Sequence, residues 1–256
     1  MFAPVLPPIG WVGKPMTIIH TGDFHNKLGE AEAARLAALK GAHPGALLLD
    51  AGDAVGAGNL GFRPGGEPIL ERMSDLGYAA MTMGNREAHV WRNVVDIKIK
   101  SARFPILSAN LTLREPLERV RPCVTTEVQG TRVGVVGLTV PMITKTMWSR
   151  HLADLLFENP YEIAARMAAD LRPDVDLLIL LSHLGVKEDR RLAETGDYDL
   201  ILGGHSHVLT ETPERIGNTW LCHTGSHARF AGVWNAERSA QGWTVTGRLD
   251  PLREAT

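Results

Sequence analysis

The sequence predicts an α/β protein built on mainly parallel strands with helices outside them. Three observations carry that prediction. Short apolar runs alternate with helical patterns from about residue 16 to residue 202. Runs such as Ala46–Asp50 (ALLLD) and Leu177–Ser182 (LLILLS) are continuous rather than alternating, as strands buried on both faces are. The last part of the chain turns all-β, which implies a second sheet or an antiparallel extension of the first.

The elements follow in order. Met16–Thr21 reads as the first strand, followed by a helix over Glu30–Lys40 with Ala and Leu on one face. Ala46–Asp50 is the second strand and Pro68–Leu76 the second helix. Tyr78–Met83 is the third strand, and the segment from Glu87 to about Lys100 the third helix. Phe104–Ser108 continues the sheet. Cys123–Val128 and Arg132–Val140 flank Gln129-Gly130, a hairpin-turn pair. Tyr161–Leu171 is helical, Leu177–Ser182 a buried strand, Lys187–Thr195 a helix and Leu200–Leu202 a short strand. Thr219–His223, Phe230–Glu237 and Trp243–Leu249 read as a run of antiparallel strands. No repeat, low-complexity tract or long linker interrupts the pattern. An extension over residues 1–15 followed by one domain over 16–256 is expected.

Composition narrows the function classes. With 256 residues, 44% hydrophobic and 22% charged, the chain can bury a sizeable core. The net charge of −2 offers no general attraction to nucleic acid or anionic membranes, and no basic, aromatic-rich stretch suggests a nucleic-acid partner. No segment has the length of a membrane span. Met1–Gly13 is apolar but broken by Pro4, Pro7 and Pro8, unlike a signal peptide. The two cysteines, Cys123 and Cys222, stand far apart in strand-like surroundings and read as buried free thiols, which favours a reducing compartment. A cytoplasmic location is expected.

The chemistry sits immediately after the strands. The first strand runs into Gly22-Asp23-Phe24-His25-Asn26, the second into Asp50-Ala51-Gly52-Asp53, and the third into Gly84-Asn85-Arg86-Glu87. The later strands end at Ser182-His183 and Gly203-Gly204-His205-Ser206-His207. In an open α/β sheet, such positions converge on one crevice. Taken singly, each piece has a plainer reading. An Asp-x-His or a Gly-Asp is commonly a turn, Asn85 could cap the helix after it, and a lone His183 could be a core histidine. Together, Asp23, His25, Asp53, Asn85, His183, His205 and His207 are too many for one tetrahedral site but suit two cations sharing a carboxylate, with Asp53 the candidate bridge. Imidazole, carboxylate and amide donors without thiolate suit Mn, Fe, Co, Ni or Zn. Two such ions activate water for phosphoester cleavage.

This ordered set resembles the calcineurin-like metallophosphoesterase superfamily, marked by D-x-H, G-D, G-N-H followed by Asp or Glu, a later His, and G-H-x-H. The nearest resemblance is to the catalytic domain of its 5′-nucleotidase and 2′,3′-cyclic phosphodiesterase branch, over about Met16 to Asp250. It implies a four-layer αββα sandwich of two mixed sheets flanked by helices. It also implies a first metal on Asp23, His25, Asp53 and His207 and a second on Asp53, Asn85, His183 and His205. The implied activity is hydrolysis of a small phosphate ester, either a monoester such as a nucleotide or a cyclic diester. Two departures stand out. Arg86 replaces the family histidine, in GNRE, and the position of that histidine's aspartate partner looks like His89. No nucleoside-gripping C-terminal domain of the exported nucleotidases is recognisable, so little discrimination among bases is expected.

Arg86 beside a ligand suits a phosphate contact, since a guanidinium grips two oxygens at once; its plainer reading is a helix-start arginine. His89, one helical turn beyond Asn85, would face the same crevice. His223 and His227 read as rim or exposed loop, and the glycine-rich run Gly52–Gly66 could order around substrate. Two other readings stand beside hydrolysis of a small ester: a nuclease-type phosphodiesterase, and a catalytically weakened metal-binding or regulatory protein.

Overall fold

A computed structural model describes residues 15–253. The expected extension over residues 1–15 therefore lies almost wholly outside the described residues. Fifteen strands and five α-helices follow in the order β1 (Met16–Thr21), α1 (Glu30–Ala42), β2 (Leu47–Asp50), α2 (Pro68–Asp75), β3 (Ala80–Thr82), α3 (Arg92–Ile99), β4 (Ile106–Leu107), β5 (Leu111–Leu113), β6 (Val120–Arg121), β7 (Cys123–Val128), β8 (Thr131–Thr139), β9 (Leu155–Phe157), α4 (Pro160–Leu171), β10 (Leu177–His183), α5 (Val186–Thr195), β11 (Leu200–Gly203), β12 (Glu214–Ile216), β13 (Thr219–His223), β14 (Phe230–Ser239) and β15 (Gly242–Pro251). A 3-10 turn occupies Trp148–His151.

The strands form two mixed sheets and a small antiparallel pair, β5 with β9. The first sheet runs β15-β14-β1-β2-β3-β4-β6 and the second β12-β13-β11-β10-β8-β7. The side-chain period of two along β1 sorts residues between layers. Ile18 packs with Leu49, Ile179 and Leu202 between the sheets, whereas Ile19 turns outward to Leu36 of α1 and Met73 of α2. On the far side, Val136, Leu178 and Ile201 of the second sheet pack under Ile163 of α4 and Leu192 of α5. Three apolar interfaces thus separate four layers, the expected αββα sandwich.

Three local expectations need correction. Thr219–His223 does not join an antiparallel run: β13 lies parallel to β11 in the second sheet, while β14 and β15 form a hairpin against β1 in the first. The third helix starts at Arg92 rather than at Glu87, and its N-cap is Trp91, so Asn85 caps nothing. The reason is local. The Glu87 carboxylate turns inward, and the ring Nδ1 of His89 accepts the Trp91 amide at 3.1 Å, holding residues 87–91 in turns. The short strands β5, β6, β9 and β12 also went unanticipated. The Gln129-Gly130 turn occurs as expected, with both residues at positive φ, and both cysteines are free.

Candidate metal centre

The carboxyl ends of β1, β2 and β3 in the first sheet meet those of β10 and β11 in the second, and every one of the seven expected ligands lies at that junction. The strand-end loops are stitched to one another before any side chain takes part. Asp23 N donates to Gly52 O at 2.8 Å, His25 N to Asp53 O at 2.9 Å, and His227 N to Asp23 O at 2.8 Å. Glycine is required where backbones crowd. A Cβ on Gly84 would stand 2.2 Å from Asp53 Oδ1 and 2.4 Å from its amide nitrogen, and one on Gly204 would stand 2.8 Å from Ala51 O.

Most of the ligand set itself sits on unusual backbone. Nine non-glycine residues have positive φ among those described, and five of them are Asp23, His25, Asp53, His205 and His207. Asn26, His227 and Ala228 adjoin the site as well, so strained backbone concentrates here, as it does at functional sites.

Asp53 stands between two groups of histidines. Its Oδ2 is 3.5 Å from His25 Nε2, and its Oδ1 is 3.4 Å from His183 Nε2. Asp23 Oδ1 is 3.6 Å from His25 Nε2 and 3.4 Å from His207 Nε2, while Asp23 Oδ2 accepts the His205 amide at 2.9 Å. Asn85 Oδ1 lies 3.3 Å from His183 Nε2, and the His183 and His205 rings stand 5.0 Å apart. Two ligand clusters emerge, Asp23 with His25 and His207, and Asp23 with Asp53 and His183.

The residues fit metal binding on an independent ground. Asp23 Oδ1 and His25 Nε2 are buried without any hydrogen-bond partner, although polar atoms so placed are ordinarily satisfied. Electrostatics agree. Burial works to raise the Asp23 carboxyl, but contacts with His207 and His25 prevail and hold it at about 2. Burial likewise opposes the charge on Asp53, yet His183 and His25 keep its carboxyl well below the usual range. The two imidazoles respond in kind: burial lowers His25 and His183, but Asp23 and Asp53 raise the first, and chiefly Asp53 the second, each to about 9. The site is poised to hold positive charge among fixed carboxylates.

Arg86 enters the cluster, with its Nε 3.8 Å from Asp53 Oδ2 and its amide donating to Asp53 Oδ1 at 2.7 Å. His89 does not follow the expected geometry. With the helix starting later, its ring is engaged by the Trp91 amide and the Leu60 carbonyl, and burial, followed by nearby Lys98, lowers its pKa. His223 is buried 2.9 Å from Asp189 rather than on a rim, whereas His227 packs edge-on at 4.9 Å from the His25 ring and 5.6 Å from that of His207.

Sequence reasoning assigned no part to three residues around this centre. The buried Glu87 carboxylate accepts the amides of Gly84, Asp53 and Val55 at 2.8, 2.9 and 3.1 Å, tying the second and third strand ends together. Asp50 Oδ1 accepts the Gly52 amide at 2.8 Å and so braces the turn before Asp53. Lys98, fully buried, donates only to backbone carbonyls. A carboxylate two residues after the asparagine of GNRE was the available signal for Glu87; nothing marked Lys98.

Comparisons with known proteins agree with this geometry. The sequence profile of calcineurin-like phosphoesterases matches residues 16–209. A 5′-nucleotidase of Vibrio vulnificus is 32% identical over 235 residues, covering 78% of this chain and 42% of its own length. The 5′-nucleotidase of Bos taurus is also 32% identical, over 77% of this chain and 39% of its own. This chain therefore spans about two-fifths of the length of these curated relatives. The crystal structure of a 5′-nucleotidase precursor from Thermus thermophilus superposes with a TM-score of 0.75 at 25% identity, covering 93% of this chain and 55% of that one. With its strand-end ligands, its four layers and these relatives, the chain belongs to the calcineurin-like phosphoesterase family.

Proposed function

We propose that this chain hydrolyses phosphate esters of small molecules, with two divalent cations held by Asp23, His25, Asp53 and His207 on one side and Asp53, Asn85, His183 and His205 on the other. One observation carries the reading: the two oxygens of Asp53 face different histidines, His25 and His183, an arrangement that suits a carboxylate shared by two cations. Bound there, the cations would supply an ionised water and Lewis-acid stabilisation of phosphoryl oxygens. The mixed donor set without thiolate suits Mn, Fe, Co, Ni or Zn.

The chain's own contribution is placement and charge. Arg86, about one-third exposed at the side chain and beside Asp53, can grip phosphoryl oxygens and stabilise charge that develops on them. A guanidinium does not give up its proton, so Arg86 gives the leaving oxygen none. With the His89 ring committed to Trp91 and Leu60, we assign His89 to holding the loop and leave departure to depend on the leaving group itself. Nucleotides, the substrates the relatives' names suggest, and cyclic diesters, which the family resemblance implies, are the first classes to test. Two free thiols accord with a reducing, cytoplasmic setting, and among the described residues no helix is long and apolar enough to cross a membrane.

The test is turnover of an aryl phosphate with added Mn²⁺ by the wild type and by Asn85→Ala. Activity that collapses in the variant supports the reading. Absence of turnover with any of the five metals, across monoesters, cyclic diesters and linear diesters, overturns it and favours a metal-binding regulatory role.

A further inference from the structure

The glycine-rich segment Gly56–Leu60 crosses in front of the Asn85 turn, and alternate carbonyls along it are each held from the protein side. Gly56 O accepts from Arg86 NH1 at 3.2 Å, Gly58 O from Lys98 Nζ at 2.9 Å, and Leu60 O from the His89 ring. Lys98 is the central anchor. Its ammonium, buried on α3, also donates to Arg86 O at 2.7 Å and Ala88 O at 3.2 Å, so its three donors join the segment to the turn that carries Asn85 and Arg86. A lysine with no aqueous face and no hydrogen-bonded carboxylate is costly to bury, which makes it an unusual choice for simple packing.

This strap presents one side chain to the centre. Between the anchored carbonyls of Gly58 and Leu60, Asn59 Oδ1 accepts from Asn85 Nδ2 at 3.0 Å. The amide of Asn85 is thereby oriented. With its nitrogen committed to Asn59, its oxygen is the end that faces His183 Nε2 at 3.3 Å. Orientation matters because the two ends of an amide are opposite in function. The oxygen can ligate a cation, and the NH₂ repels one.

We propose that Asn59 is a positioning residue that turns the Asn85 carbonyl toward the metal centre, and that Lys98 holds in place the strap that carries it. The proposal rests on Asn85 being a metal ligand. Outer hydrogen-bond partners of ligands typically change metal affinity by 10- to 100-fold. Asn59 is exposed and reaches Asn85 by a single bond, so a loss near the lower end is expected.

The experiment is calorimetric titration of Mn²⁺ into chelator-treated full chain, with the melting temperature of each metal-free variant measured alongside. Asn59→Ala should weaken one of the two binding events about tenfold, the same one that Asn85→Ala abolishes, leave the other near its wild-type value, and leave the metal-free melting temperature unchanged. Asn59→Asp, which keeps an acceptor for Asn85 Nδ2, should restore most of the affinity. Lys98→Met should produce the Asn59→Ala phenotype; if it fails to fold, the two Asn59 variants decide alone. Asn85→Ala separates the two levels of the argument. If it abolishes one event while Asn59→Ala leaves both events unchanged, the positioning role is wrong and the ligand assignment stands. If Asn85→Ala itself changes neither event, the ligand assignment falls, and the role of Asn59 with it.

Discussion

Replacing Arg86 by alanine removes one positive charge from the edge of the proposed metal centre and one anchor from the strap. The two losses have different signatures. The guanidinium lies 3.8 Å from an Asp53 carboxylate oxygen, so a phosphoryl oxygen bound beside Asp53 would come within about 4 Å of it. At that range a unit charge pair is worth about 4 kcal/mol at the effective dielectric of a protein surface, an upper bound. Lost charge-stabilising donors in active sites cost about 2.7–4 kcal/mol. With 31% of the Arg86 side chain exposed, the lower figure applies, and at 1.36 kcal/mol per decade it gives about a 10²-fold fall in kcat/KM. The lost bond to Gly56 O should cost about 1 kcal/mol of stability. Steady-state rates on an aryl and an alkyl phosphate, with metal content measured in parallel, separate the effects. Arg86→His should recover part of the rate, mainly on the alkyl ester. If Arg86→Ala stays within threefold of wild type on both esters at unchanged metal content, Arg86 merely secures the strap and the catalytic assignment is wrong.

Four further outcomes follow. Reconstituted wild type should hold two equivalents of transition metal, and Asp53→Ala should disturb both sites; a wild-type stoichiometry never above one refutes the dinuclear arrangement. With Arg86 giving the leaving oxygen no proton and His89 assigned to the loop in the proposed mechanism, log kcat/KM should rise steeply with leaving-group acidity across a series of phosphate monoesters, and a flat series would point to an undetected general acid. Gly84→Ala should cost 1–3 kcal/mol and most of the activity, since its methyl would collide with Asp53; denaturant unfolding and turnover check this. The last outcome concerns acid stability. Burial, reinforced by His223, holds His20 down at about 3, so below pH 6.5 the unfolded chain binds a proton that the folded chain refuses. In the metal-free protein His20 should therefore subtract about 1.4 kcal/mol of stability per unit of falling pH, or about 2 kcal/mol between pH 6.5 and 5, while Asp50, raised by burial to about 7, keeps a proton that the unfolded chain loses and offsets that fall over the same range. His25 and His183, raised to about 9, have the opposite sign. Their contribution is complete below pH 6.5 and is lost as pH rises toward 9. Urea unfolding of wild type and His20→Leu from pH 5 to 9 distinguishes the two, because only the acid-side slope should differ between them, by the His20 contribution.

The convergence at the metal centre was legible because its chemistry demands particular residue types in particular places. Asp23, Asp53, Asn85, His183 and His205 follow apolar runs whose strand character is plain. The supports were not legible, for a physical reason. Glu87 accepts from three backbone amides and Lys98 donates to three backbone carbonyls. Backbone groups occur at nearly every residue, so such partners leave no compositional trace. The direction of β13 was misread because apolar alternation reveals a strand but not which neighbour it joins or in which sense. The helix after Asn85 was placed too early because Glu87 and His89, ordinary residues in a first helical turn, here spend their side chains on amides.

The left-handed backbone at Asp23, His25, Asp53, His205 and His207 narrows which replacements this centre tolerates. Asparagine, aspartate and histidine are the non-glycine residues most often found at positive φ, so at these positions one residue type meets a conformational demand and a coordinating demand together. Chemical likeness is then a poor guide to interchange. Asp23→Glu and Asp53→Glu keep a carboxylate but place a longer side chain on backbone it rarely adopts, while glycine eases the backbone and removes the donor. Sequence drift at these five sites should be confined to a few letters of the alphabet. A library randomised there should yield functional members almost entirely among Asp, Asn and His, with carboxylate swaps rejected as strictly as the loss of charge.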